Sequence, residues 1–426
     1  MSTTQIESAL AQIVGRANVL SRRPRFDLAA LPCAAPGDVD EVSALLKLAT
    51  RDKLRVLPLG LGSKLGWCNA PERVDFLLTT QRLVGAVSHE PADGTIAVRA
   101  GETIADLAAR VERGGHRLTP DVPAPAHCTI GGVVAAGQSG FDRLRFGPVQ
   151  HHVLGVEAVL GDGTVTRSGG RLVKNVTGFD LHRLYAGSHG TLCVLTEIAL
   201  RLFPAPEHEV MFIAHGVDLA RALDRARTAF ALPARYVSIV LASHESPPAG
   251  ESWAVFARLF GKRAAVAAEQ AALAQCWKPS TLKEGRTAAE FAAKFRDTTS
   301  FVGTERASLS VTAEPSRAPA LVVELLRALD ERSLERRLMF QPFEARLDIG
   351  LPSAMDPAQL AEFARLARGI ATRHGGALHV RNAPLAALSG LDPFGGDVAG
   401  LELMRELRTK LDPGGVFARG RFVGGL

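Results

Sequence analysis

The 426-residue chain has no apolar run approaching the roughly 20 residues that would cross a bilayer. Its first residues, Met1 to Val14, mix Gln5, Glu7 and Gln12 with apolar positions. They lack the basic start and apolar centre of a signal peptide, so a cytoplasmic protein is the expectation. Lysine is scarce, 9 residues against 41 arginines, yet the formal charge is only +6 and gathers into no run or stripe. Without an aromatic-rich basic motif, that charge argues against general nucleic-acid binding. The five cysteines, Cys33, Cys68, Cys128, Cys193 and Cys276, include no Cys-x-x-Cys pair. This speaks against a zinc ribbon or a cysteine-ligated iron–sulfur cluster within the chain. An odd, scattered set also fits a reducing compartment. His151-His152 would point to opposite faces of a strand, a poor chelate, and no metal site is expected.

What is present divides in two at Pro204 and Pro206. Before them, Asp38 and Glu41 precede Val42, Leu45, Leu46 and Ala49 on one face, predicting a capped helix. Leu54 to Leu57 reads as a strand, and a second helix runs from Thr103 to a stop at Gly114-Gly115. Val153 to Leu160, Gly161-Asp162-Gly163 and Thr164 to Arg167 predict a hairpin, followed by a β-rich run from Thr191 to Phe203. Beyond the prolines, strand-like runs (Glu209–Ala214, Tyr236–Leu241, Ser308–Thr312, Phe343–Ile349) alternate with helical ones (Leu219–Phe230, Ala264–Gln275, Pro319–Leu329, Ala358–Arg373). That alternation predicts a two-layer α+β domain of ferredoxin-like character, with no internal sequence repeat and a loop over Ser243–Glu251.

Three glycine-rich segments carry the functional signal. The first, Pro58-Leu59-Gly60-Leu61-Gly62-Ser63-Lys64, follows a strand as a dinucleotide phosphate loop would. Its spacing is not Gly-x-Gly-x-x-Gly, and Trp67-Cys68-Asn69-Ala70-Pro71 does not continue as the helix that a nicotinamide fold places at the pyrophosphate. No NTPase loop occurs either. The second, Thr129 to Gly140, packs glycines and small residues where backbone could approach a large flat ligand. The third is Tyr185-Ala-Gly187-Ser-His-Gly190-Thr191-Leu-Cys-Val194. Its Gly187-Ser188-His189-Gly190 is near a serine-hydrolase elbow, but that elbow must open a helix and Thr191–Thr196 reads as a strand.

The ordered set Pro58-x-Gly-x-Gly-Ser, Thr129-Ile-Gly-Gly, Arg145-Phe-Gly-Pro, Lys174-Asn-Val-Thr-Gly-Phe-Asp-Leu and Gly187-Ser-His-Gly-Thr-Leu resembles the PCMH-type FAD domain of the vanillyl-alcohol-oxidase superfamily. Within it, the lysine-containing stretch from Lys174 resembles the FAD-binding subunit of bacterial glycolate oxidase. The tail Asp412-Pro-Gly-Gly-Val-Phe417-Ala-Arg-Gly-Arg421 resembles the family ending. The likeness covers roughly Val39 to Phe203 and that tail. It implies an α+β fold: an FAD domain over residues 1–205, an α+β ferredoxin-like cap over 206–400, and a tail, 401–426, returning to the FAD domain. It implies FAD as cofactor, held by Pro58, Gly60, Leu61, Gly62, Ser63, Lys64, Pro123, Thr129, Gly131, Gly132, Ala136, Ser139, Gly140, Gly187, Gly190, Thr191 and Val194. It also implies a second flavoprotein subunit and an iron–sulfur subunit as partners, with any membrane association made through them.

Oxidising glycolate or a related 2-hydroxy acid needs a base near the hydroxyl and a cation for the carboxylate. Arg143, Arg145, Lys174 and His182 in the first half, and His379 and Arg381 in the second, are the candidates. The single-chain hydroxy-acid dehydrogenases of the family carry a His-rich Gly-Asp-Gly-Asn metal segment and a Glu-His-Gly run, absent here. Gly375-Gly-Ala-Leu-His379 supplies one histidine in a comparable place. Cys128, just before Thr129-Ile130, stands one residue from the cysteine that berberine-bridge-type oxidases bond to flavin, which raises the hypothesis of a cysteinyl bond here. The competing expectation is a non-catalytic FAD scaffold or electron-relay subunit.

Overall fold

Asp38 begins the first long helix as its sequence predicts: Oδ1 accepts from the Glu41 N–H at 2.8 Å and the helix runs Val39–Asp52. Val42, Leu45, Leu46 and Ala49 are fully buried on one side, and Lys53 ends the helix in the left-handed region at φ 54°. In this computed structural model the described residues are all but 23–29, 173–177, 244–251, 278–279, 300–306, 353, 389–390 and 396–397. Among them no helix is long and apolar enough to cross a membrane.

Two compact units result. The first comprises Met1–Ser139, Pro148–Pro204 and Gly396–Leu426; the second comprises Gly140–Gly147 and Ala205–Gly395. The chain therefore crosses between units at Gly140–Gly147 as well as after Pro204, a crossing that the sequence reading did not contain.

The first unit holds two sheets. One runs Val19–Arg22, Leu31–Ala34, Phe76–Thr79, Val56–Leu59, with its last two neighbour pairs parallel. The other is antiparallel in the order Ala86–Glu90, Thr95–Arg99, Val194–Arg201, Val153–Val159, Val165–Gly169. Val153–Val159 and Val165–Gly169 form the expected hairpin. The run expected from Thr191 becomes a strand only at Val194. Gly190 takes φ 73° and Thr191 Oγ1 donates to Ser188 O at 2.7 Å, which makes a turn there instead. Val159 and Val194 share a core with Val56, Phe76 and Phe417, so apolar side chains join the two sheets and the C-terminal tail.

The second unit is one eight-stranded antiparallel sheet built from two βαββαβ modules. The first module has strands His208–Val217, Ser238–Ser243, Trp253–Gly261 and Thr281–Glu284, in spatial order fourth, first, third, second. The second has Ala307–Thr312, Arg337–Gln341, Arg346–Leu351 and Leu378–Asn382, in the same order reversed. The modules meet where their second strands pair. This is the expected ferredoxin-like pattern, made twice. Helices Leu219–Ala231, Arg263–Cys276, Ala318–Asp330 and Pro357–Arg373 cover one face over a single apolar core. The other face is treated differently in the two modules. In the first, Met211, Ile213, Ala254 and Phe256 pack under the helix Gly285–Thr299 through Ala288, Ala292 and Phe295. In the second, Ser308, Ser310, Arg346, Asp348, His379 and Arg381 occupy the alternate positions.

Candidate functional site: an acid-free cleft in the first unit

The strand Val56–Leu59 runs out into the glycine loop, and the loop cannot sit elsewhere because its neighbours touch it. A Cβ on Gly60 would lie 2.0 Å from Thr129 Oγ1, and Thr79 Oγ1 donates to Gly60 O at 3.0 Å. Gly62 holds φ 82°, a left-handed position suited to glycine. Thr129 in turn caps the short helix Ile130–Ala135, its Oγ1 accepting from Gly132 N at 3.2 Å. That helix presses on the strand behind it: Gly131 N donates to Ala100 O at 2.9 Å, and a Cβ at Gly131 would come within 2.8 Å of the same oxygen. The third glycine segment is tied to the helix end, Gly187 N donating to Val134 O at 3.0 Å and His189 N to Ala135 O at 2.7 Å.

The three segments enclose a cleft of roughly 760 Å³, part of it open to solvent. Pro58, Gly60, Leu61, Gly62, Ser63, Lys64, Thr129, Gly131, Gly132, Ala136, Gly190 and Val194 line it, twelve of the seventeen residues expected to hold a cofactor. The other five do not line it. Pro123 O accepts from the Cys128 thiol at 3.5 Å, and Ser139 Oγ accepts from Val149 N at 3.0 Å. Gly187 and Thr191 shape the turn beneath, and Gly140 belongs to the second unit. The lining residues outside that expected set include Thr80, Ser188, His189 and Arg421. His189 stood inside the third segment, and its φ of 53° marks a non-glycine residue held left-handed at a site. Arg421 stood in the tail motif; its Nη1 donates to Leu65 O at 3.0 Å and Asn69 O at 2.7 Å. Nothing in the sequence signals Thr80.

Lys64 and Arg421 are both more than nine-tenths buried, while among the described residues no aspartate or glutamate lines the cleft. Burial lowers the proton affinity of both side chains. Two buried cations beside glycine-loop backbone, with no internal acid, form a site complementary to an anion. The diphosphate of a dinucleotide meets that description, and the bare glycines leave room for a broad ring system.

The catalytic candidates are not gathered here. Lys174 lies outside the described residues. His182 is buried on Leu181–Tyr185, where Ser168 Oγ accepts from its backbone N–H at 3.1 Å and lies 3.3 Å from Nδ1; burial pushes its pKa below the usual range. Arg145 is in the second unit, donating to Phe260 O and lying over the Phe146 and Phe260 rings. His379 and Arg381 share one face of Leu378–Asn382. The His379 ring stacks on Phe394 with centroids 4.6 Å apart, and Arg381 Nη1 is 3.9 Å from Asp348 Oδ1. Arg346 grips Asp348 with two hydrogen bonds of 3.0 and 2.7 Å. Burial, then repulsion from Arg346, pushes Arg381 down to about 9. Arg143 lies 3.5 Å from Glu344 in the same unit.

Residues 31–169 match the protein family described as FAD binding domain. The chain carries an FAD-binding domain. The glycolate oxidase subunit GlcD of Bacillus subtilis is 32% identical over 180 residues, 42% of this chain and 38% of that protein. The D-lactate dehydrogenase of Archaeoglobus fulgidus is 35% identical over 170 residues, 40% and 38% of the two chains. The chain thus spans about two fifths of the length of these curated relatives. Among solved structures, p-cresol methylhydroxylase with substrate bound superposes with TM-score 0.75 at 14% identity, covering 98% of this chain and 96% of the other. The 4-ethylphenol oxidase of Gulosibacter chungangensis gives 0.73 at 14% identity with the same coverage. The fold is accordingly PCMH-type, and the FAD-binding domain is related in sequence to that of the glycolate oxidase subunit.

Proposed function

We propose that the chain is an FAD-dependent oxidoreductase component that oxidises glycolate or a related 2-hydroxy acid. In this reading it is the FAD-binding subunit of a glycolate-oxidase-like complex, with a second flavoprotein and an iron–sulfur subunit. It works in the cytoplasm and reaches a membrane only through those partners. The observation that carries the cofactor half of the reading is the acid-free cleft with Lys64 and Arg421 buried in its wall. The substrate half draws on the sequence relatives, whose names place them on glycolate and D-lactate.

Bound FAD supplies the two-electron redox chemistry; the protein holds it, tunes it and admits substrate. In this reading Lys64 and Arg421 offset the diphosphate charge, and the Gly60–Lys64 and Gly131–Gly132 backbone lets a ring system approach without side chains between. Arg381 and Arg143 on the second unit supply cations suited to a carboxylate, and His379 shares a strand face with Arg381.

The second reading is a non-catalytic FAD scaffold or electron-relay subunit. It is favoured by how fully the candidates are already engaged: His182 by Ser168, Arg145 by the Phe260 carbonyl, His379 by Phe394. An absorbance spectrum taken before and after anaerobic addition of glycolate and D-lactate separates the two. Flavin bands that bleach establish a self-sufficient dehydrogenase. Flavin bands that persist support the partner-dependent subunit, and failure to take up FAD overturns the reading. Acid precipitation that releases all colour excludes a cysteinyl bond at Cys128.

A further inference from the structure

Beneath the glycine loop lies a group of side chains that cofactor binding alone does not account for. Lys64 Nζ is 3.2 Å from Cys128 Sγ and 3.1 Å from Ser63 Oγ, and Ser63 Oγ is 3.6 Å from the same sulfur. The thiol hydrogen is directed to Pro123 O at 3.5 Å, which leaves the sulfur lone pairs toward the lysine. Among the described residues Lys64 has no carboxylate within ion-pair distance. Burial draws its ammonium toward the neutral amine, against a smaller opposing pull from Cys128. A buried lysine nitrogen in contact with sulfur becomes, once it gives up its proton, a nucleophile next to an oxidisable atom. Burial pushes the Cys68 thiol up to about 11 and raises that of Cys193 as well, and Cys276 is exposed on a helix of the second unit. Ser63, Lys64 and Thr129, which flank the fully buried Cys128 sulfur in space or in sequence, all line the cleft, so the sulfur lies directly behind the cleft wall.

We propose that Cys128 and Lys64 are an oxidisable pair, which a hydroperoxide entering the cofactor-free cleft converts to a covalent sulfur–nitrogen link that weakens FAD binding. In the first step Cys128 Sγ attacks one oxygen of hydrogen peroxide. An S–O bond forms, the O–O bond breaks, and the thiol proton leaves with the second oxygen as water, giving a sulfenic acid. Lys64 Nζ then attacks that sulfur. The S–N bond forms, the S–O bond breaks, and the hydroxyl departs with an amine proton as a second water. One peroxide is reduced to two waters while the thiol–amine pair loses two protons and two electrons. The link consumes the lysine that lines the cleft, one of its two buried cations. A strong thiol reductant reverses it by attacking the sulfur and releasing the amine.

The loading consequence rests on the FAD reading; the link itself does not. The full chain, stripped of flavin and fully reduced, is exposed to hydrogen peroxide, quenched with catalase, thiol-blocked and mapped by peptide mass. A parallel sample is saturated with FAD beforehand. The expected product is a fragment joining the Lys64 and Cys128 peptides, lighter by two hydrogens than their sum and cleaved by dithiothreitol. It is absent from Cys128→Ser and Lys64→Met, and several-fold less abundant in the FAD-loaded sample. Recovery of Cys128 as free thiol, or as an unlinked oxidised thiol, under conditions that oxidise Cys276 overturns the proposal. FAD titration of the oxidised chain reads the consequence: an affinity loss of about tenfold or more in the native sequence and none in Cys128→Ser. A link that forms without changing FAD affinity refutes the control of loading. Reduced protein that binds no FAD refutes the cofactor reading instead, and leaves the mass measurement to decide the link.

Discussion

Gly60 and Thr129 show how a single contact sets the cleft. Alanine at Gly60 would place its Cβ 2.0 Å from Thr129 Oγ1, so either the loop or the helix cap must move. Gly60→Ala is expected to cost about 1–3 kcal/mol in urea denaturation, as overpacked sites do, and to weaken FAD binding by fluorescence titration. Thr129→Ala removes the cap of Ile130–Ala135 and is expected to cost about 1 kcal/mol. The double variant should be less damaged than the sum, because the second change deletes the atom the first one strikes. Additive losses would show that the contact does not govern the site. Lys64 makes the opposite trade. Among the described residues its buried cation has Ser63 and Cys128 as partners and no carboxylate, so Lys64→Met is expected to leave the FAD-free chain as stable or more so. The same change should raise the FAD dissociation constant by about tenfold or more, the worth of a lost charge-assisted contact. The pH dependence follows from the depressed lysine. Between its folded pKa and the ordinary 10.5, the unfolded chain holds the extra proton, so this group adds stability as pH rises through that window. Urea midpoints from neutral pH to about 10 should rise less steeply in Lys64→Met; an unchanged slope contradicts a depressed Lys64. At this scale the glycine loops were readable from the sequence because only glycine tolerates such approach. Thr80 was not, since a threonine at a strand end has no distinguishing pattern.

Elements were readable where their ends or faces carried chemistry. The helices Val39–Asp52 and Ile104–Arg113 were marked by Asp38 and Thr103, whose side chains accept from Glu41 N and Asp106 N. The strand Trp253–Gly261 was not read, because alternation fails when both faces are covered. Trp253, Val255, Ala257 and Leu259 face the four-helix layer, while Ala254 and Phe256 face Gly285–Thr299. The duplication of βαββαβ modules was hidden for a related reason. The face that is apolar in one module carries Ser310, Asp348 and Arg381 in the other, so topology repeats while side-chain pattern does not. The short helix Leu181–Tyr185 offers a test at this scale, since it is pinned to Val165–Gly169 by His182 and Ser168. Burial depresses His182, so as pH falls below about 6.5 the unfolded chain takes up the proton first. Stability contributed by the neutral ring is expected to fall from there through the folded pKa. His182→Asn should flatten the thermal-midpoint profile between about pH 7 and 5; an unaltered profile would show that His182 does not titrate in the native fold.

The whole molecule returns its last residues to its first unit, and this bears on where the FAD domain ends. Residues 31–169 match the family, yet strand Val56–Leu59, which launches the glycine loop, is completed by the tail. Val56 N donates to Val416 O at 2.8 Å, and Ala418 N to Val56 O at 2.9 Å. Asp412 Oδ1 and Oδ2 accept from Val416 N at 2.7 Å and Phe417 N at 3.0 Å, fixing that turn, and Phe417 is fully buried among Val56 and Phe76. Arg421 then enters the cleft wall. A chain ended after Gly395 keeps every residue of the matched segment but loses these anchors. It is expected to bind FAD at least about a hundredfold more weakly than the full chain. Phe417→Ala, which keeps Arg421, should cost roughly 3–5 kcal/mol in unfolding, as a buried phenylalanine does. Arg421→Met, which keeps Phe417, should weaken FAD binding more than it lowers stability. If the truncated chain binds FAD as tightly as the full one, the tail is packing alone and Arg421 has no part in the site. If Phe417→Ala and Arg421→Met reproduce its two losses separately, the tail is both the structural partner of the glycine-loop strand and one wall of the cofactor cleft.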